Sequence, residues 1–222
     1  MQKELINKPL PRTRQKGLVL FCRIASFLFH PLFMTPAAAV ILYKFAPGNF
    51  SGNSFPLFRN WFGELLVFTI LFPLLSILIF KISGLISNAR MHLPRDRVLP
   101  LIATMVFYLL AYILLTPKYH VPILFKSMLL GSTASIFLIF AINFFYKVSI
   151  HTAAVAILPG ITMVIMLNNN NVPGWVFLTA VGIACLVGTI RWLLGAHTLG
   201  QILLGYVVGT LFQLVFYFCL NT

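Results

Sequence analysis

Three short polar stretches interrupt a mostly apolar chain, and their residue types suit phosphate chemistry. The first is RMHLPRDRVLP (90–100), which carries Arg90 and Arg97. The second, YKVSIHTA (146–153), carries Lys147, Ser149 and His151. The third, RWLLGAHTLGQ (191–201), carries Arg191, His197 and Gln201. Guanidinium forks match the oxygens of a tetrahedral oxyanion. Lys147 offers a further contact to phosphate or to lipid head groups. Ser149 is placed as the N-cap of a helix, whose first N–H groups and dipole favour an anion. Of two imidazoles, one can attack phosphorus while the other protonates the leaving oxygen. Gln201 lies one helical turn beyond His197, on the same face. Its carbonyl oxygen can accept the His197 Nδ1–H bond and leave Nε2 bare.

Singly, each residue has a plainer role. An arginine at a helix end snorkels or marks the cytoplasmic side, and a glutamine can join helices. Glycines such as Gly200, Gly205 and Gly209 are close-packing positions. Together the set points to function, because ionisable groups within membrane segments are costly.

The elements that must carry these residues follow from composition. The chain has 222 residues, 60% hydrophobic and 9% charged, with a mean hydropathy of +0.97. A soluble domain carries about a quarter charged residues. Successive apolar runs of about 20 residues predict an all-α, polytopic transmembrane helical bundle of six or seven spans. Helices satisfy their own backbone in lipid. The spans are expected at 31–46, 61–83, 98–116, 122–146, 150–167, 173–192 and 197–219. Residues 1–30 read as a basic tail followed by an interfacial segment, and 31–222 as one transmembrane domain. His30-Pro31 marks the boundary.

An even number of spans separates each polar stretch from the next, so all three open at one membrane face. Twelve Lys and Arg residues fall on that side and four on the other, which makes it cytoplasmic by the positive-inside rule. His30, His92 and His120 stand apart from the set: His120 lies on the opposite face, His30 precedes a proline at a span start, and His92 could touch a head group.

Several classes are excluded. The three carboxylates, Glu4, Glu64 and Asp96, are scattered. They form no magnesium or calcium cluster and no carboxylate pair for hydrolysis. Cys22, Cys185 and Cys219 read as packed small hydrophobes. The net charge of +13 suits anionic membrane lipid better than nucleic acid. No cleavable signal peptide is evident. The sequence is silent on oligomeric state.

The pattern resembles the type-2 phosphatidic-acid phosphatase superfamily, which includes lipid phosphate phosphatases and vanadium haloperoxidases. Its motifs read K-x(6)-R-P, P-S-G-H and S-R-x(5)-H-x(3)-D. Here they correspond to Arg90-x(6)-Arg97, to Val148-Ser149-Ile150-His151, and to Ile190-Arg191-x(5)-His197-x(3)-Gln201. The resemblance covers roughly residues 60–220. It implies a membrane enzyme hydrolysing a phospholipid or isoprenoid phosphate, in a bacterial cytoplasmic membrane. It makes His197 the nucleophile of a phosphohistidine intermediate and His151 the general acid. Arg90, Arg97, Arg191 and Ser149 become the phosphoryl clamp, with no metal and no cofactor. Three departures bear on this. Gln201 replaces an aspartate, which predicts slow turnover, since a carboxylate-to-amide change in a serine protease triad costs about 10⁴. Ile150 replaces a glycine, and an extra pair of spans separates the first two motifs. The alternative is a lipid-phosphate binding or transport protein with a degenerate site.

Overall fold

The computed structural model describes residues 12–46, 55–86, 95–168 and 172–221. Among these, every regular element is a helix. In chain order they are α1 (Arg12–Leu28), α2 (Pro31–Phe45), α3 (Phe55–Leu66), α4 (Phe72–Ile82), α5 (Val98–Lys118), α6 (Ile123–Asn143), α7 (Ile150–Val155), α8 (Ile157–Leu167), α9 (Gly174–Leu193) and α10 (Leu199–Asn221). A π-helical turn, Val67–Leu71, joins α3 to α4, and a 3₁₀ turn, Arg95–Arg97, leads into α5.

The protein is a multi-pass helical membrane bundle. Among the described residues, six helices or helix pairs are long and apolar enough to cross a bilayer, and a seventh crossing counts if the α1–α2 pair is one bent span. The expected spans are recovered, with two differences. The second crossing runs Phe55–Ile82, because its helix starts earlier than 61. The first, α2, has 15 residues and spans only about 22 Å at 1.5 Å per residue, short of the hydrocarbon core. It meets α1 at a 56° bend. Pro31 is the first residue of α2, where its missing N–H costs nothing.

Proline also explains two breaks within spans. Pro159 has no N–H for the Val155 carbonyl, and the α7–α8 break falls at Ala156. Pro73 likewise cannot pair with the Thr69 carbonyl, inside the π-helical turn.

One core cluster fills the space between α2, α3, α6 and α8, with Leu42, Trp61, Phe125, Met128 and Ile161 fully buried. Large side chains such as Leu78, Phe137, Leu178 and Leu203 point outward, as a lipid-facing surface requires. Helix α10 packs against α6, α7 and α8. The contact with α7 is close because Gly205 and Gly209 lack side chains. A Cβ on Gly205 would collide with Thr152 Oγ1 and come within 2.8 Å of the Ser149 carbonyl. One on Gly209 would strike the Ala153 carbonyl oxygen. Two small residues four apart let membrane helices touch backbone to backbone.

Candidate active site

The close α7–α10 approach brings the second and third polar stretches together. The Ser149 N–H donates to the Gln201 carbonyl at 3.2 Å. The first stretch joins them through Arg97, whose Nη1 donates to the Val148 carbonyl at 3.4 Å. Arg97 sits at the N-cap of α5, Ser149 at that of α7, Arg191 in the last turn of α9 and His197 before α10. All lie at one end of the bundle.

His197 is buried, at 6% exposure. Thr198 and Gln201 form a reciprocal capping box: the Gln201 N–H donates to Thr198 Oγ1 at 3.4 Å, and the Thr198 N–H donates to Gln201 Oε1 at 3.3 Å. That second bond turns the amide oxygen, not its nitrogen, toward the ring. His197 Nδ1 lies 2.9 Å from the same oxygen, so Nδ1 carries the proton and donates. Nε2 is left bare. Burial, reinforced by Arg191, Arg97 and Lys147, pushes the His197 pKa down to about 4, against a smaller opposing effect of the Gln201 hydrogen bond. The ring is therefore neutral at pH 7, as a nucleophile must be.

Ser149 is fully buried and caps α7, its Oγ accepting the Thr152 N–H at 3.4 Å. The Ser149 O–H remains able to donate. His151 has Arg191, His30 and His197 as charged or titratable neighbours. Lys147 is held below the usual lysine range, first by burial and then by Arg97 and Arg191. Burial also lowers the Arg97 pKa.

Arg191 is the most telling group. Its Nε is buried and has no hydrogen-bond partner among the described residues. A guanidinium N–H without an acceptor is a costly group, and the missing acceptor fits an anion. Cations and imidazoles crowded together at the edge of a bilayer have the same requirement. No three His, Cys, Asp or Glu side chains gather to hold a metal ion among the described residues.

The structure thus brings Arg97, Lys147, Ser149, His151, Arg191, His197 and Gln201 together. Arg90 and His92 lie outside the described residues. His120 is in the turn at the opposite end, with a φ of +46°. Two expectations need correcting. His30 does belong at the site end: its ring centroid is 5.7 Å from that of His151, at an interplanar angle of 79°. The packed-cysteine reading also holds only for Cys22, since Cys185 and Cys219 are exposed.

No family model, no curated protein and no solved structure matches the chain.

Proposed function

We propose that the chain is an integral-membrane phosphatase of the type-2 phosphatidic-acid phosphatase kind, acting on a lipid phosphate or an isoprenoid pyrophosphate. The observation that carries the reading is the joining of three sequence-remote stretches around a buried Arg191 Nε that has no partner among the described residues.

In this reading a phosphate head group enters from the bilayer edge and fills the cationic cradle. Arg97, Arg191 and Lys147 neutralise the phosphoryl oxygens, and the Ser149 hydroxyl donates to one of them. His197 Nε2 attacks phosphorus, the bond to the leaving oxygen breaks, and His151, entering in its protonated form, gives that oxygen a proton. His151, now neutral, takes a proton from water, which attacks the phosphohistidine and releases inorganic phosphate. The chain's contribution is positioning and fixed positive charge where negative charge develops. Gln201 holds the His197 tautomer but brings no carboxylate to stabilise an imidazolium, so turnover is slow. The excess of Lys and Arg favours the cytoplasmic side for this face.

A second reading is a lipid-phosphate binder without turnover. It is favoured by Gln201, whose capping bond to Thr198 is sufficient reason for its presence. The test is phosphate release by the purified protein in detergent with EDTA, from phosphatidic acid and from an isoprenyl pyrophosphate. Release from either supports the enzyme. Failure with both, by a protein that still binds inorganic phosphate, leaves the binder.

A further inference from the structure

The elbow between α1 and α2 touches His151 in two ways. The His151 ring comes within reach of the Ser26 backbone, whose carbonyl favours a proton on the ring. The His30 ring stands edge-on to it, with centroids 5.7 Å apart. Both contacts arise from how α1 ends. A helical Ser26 carbonyl would accept the N–H of residue 30, but the His30 N–H goes to Phe27 at 3.2 Å instead. The Ser26 carbonyl is one of the orphan acceptors of a helix C-terminus, and such an end carries partial negative charge. The Ser26 hydroxyl is also buried without a partner among the described residues. His30 Nδ1 accepts the Leu32 N–H at 3.4 Å as the N-cap of α2, so in the neutral ring the proton is on Nε2.

Helix α1 is fixed in place by its other face. Cys22 and Ala25 are buried against Ile190, the residue before Arg191. Meanwhile Leu20, Phe21, Ile24, Phe27 and Leu28 are exposed, a lipid-facing stripe. The elbow therefore reaches His151 from a helix anchored both to α9 and to the membrane.

We infer that the α1–α2 elbow is a working part of the site. In neutral His151 the Ser26 carbonyl fixes which nitrogen carries the proton, so the other faces the site as the atom that takes up and gives the transferred proton, and the His30 ring holds the ring in that orientation. His30 is thus a positioning residue for proton transfer by His151. Both imidazoles are then oriented by neutral oxygens: His197 by an amide side chain, His151 by a backbone carbonyl. An imidazole with one nitrogen tied to an acceptor presents the other to the reacting atoms, the same logic that orients the histidine of a serine protease. The kinetic consequence rests on the phosphatase reading; the contact does not.

His30→Asn separates positioning from capping. Asparagine supplies an oxygen acceptor close to where Nδ1 stands and is a good N-cap, but it removes the ring. The test uses the full chain in detergent, labelled with ¹⁵N-histidine, and compares wild type, His30→Asn and His30→Ala. At a pH where His151 is neutral, the wild-type ring is expected as one tautomer. In His30→Asn its ¹⁵N signals should shift toward a tautomer mixture while thermal stability is kept. The kcat for phosphate release should fall about tenfold, with KM unchanged, as general acid catalysis is weakened rather than lost. His30→Ala should show the same kinetic loss and also melt earlier. Unchanged His151 signals in His30→Asn overturn the inference, whatever the protein hydrolyses. So does an active protein whose His30→Asn variant keeps the wild-type kcat. A wild type that releases no phosphate but whose His151 signals shift in His30→Asn sinks the phosphatase reading and upholds the elbow contact.

Discussion

Two ends of the same bundle handle positive charge in opposite ways. At one end Lys118 Nζ sits 2.5 Å from Glu64 Oε1, and the Tyr119 hydroxyl donates to the same oxygen at 2.7 Å. This group is exposed and closes on itself. At the other end Arg191 buries its Nε without a partner among the described residues, and Arg97, Lys147 and two imidazoles gather near it. A solvated ion pair contributes little to stability and needs nothing from outside. A buried cation lacking an acceptor is costly and persists where something else supplies the anion. The difference separates a surface contact from a candidate site: in the proposed reading, the second end is completed by an anionic ligand.

The sharpest way to break that contrast is Arg191→Ala. Phosphate release should fall about 10³-fold, the cost of losing a donor aimed at developing charge. Without ligand, the variant should melt no earlier than wild type, because an unsatisfied buried group has been removed. A clear loss of stability with activity kept would make Arg191 structural. Next comes Gly209→Leu, which forces α10 away from the Ala153 carbonyl and Ala156 Cβ. Overpacking of this kind costs about 1–3 kcal/mol, and displacing α7 by an ångström should slow release about 10²-fold. Denaturant titration and initial rates read both.

Gln201→Asp sharpens the account of slow turnover. A carboxylate in contact with Nδ1 should raise kcat about tenfold, a small part of what orienting groups contribute in triads; an unchanged rate in an active protein would show that charge at this position is immaterial. The pH profile follows from the His197 pKa of about 4. Its protonation should cut the rate only as pH falls toward 4, not through the usual histidine range. Since the folded value lies below the unfolded one, the stability linked to His197 is full above about pH 6.5 and is lost as pH falls toward 4. The smallest effect is expected at the opposite end: Lys118→Ala should leave melting temperature and rate unchanged within error.

The membrane helices were legible because hydropathy and helix length are written in composition. The meeting of the three polar stretches was legible from span parity alone, and the His197–Gln201 bond from their one-turn spacing. The same parity covers His30, at the start of the first crossing. Yet a lone histidine before Pro31 has no motif around it, so nothing in its spacing marks it. The Ser26 carbonyl is a backbone group and leaves no side-chain signature; it becomes available only because the His30 N–H turns to Phe27. The α1–α2 bend depends on how α1 packs on Ile190, a contact between residues far apart in sequence. The tight α7–α10 seat was half legible: glycines four apart announce a close approach, but not which helix makes it.

The central claim is that His197 becomes covalently phosphorylated while Arg191 holds the phosphoryl group. The direct measurement is acid-sensitive labelling of purified protein by ³²P-phosphatidic acid or ³²P-labelled isoprenyl pyrophosphate, quenched within one turnover and mapped by peptide. The expected result is label on the peptide containing His197, absent in His197→Ala. Phosphate release without any labelled protein, or equal labelling of His197→Ala, would contradict it.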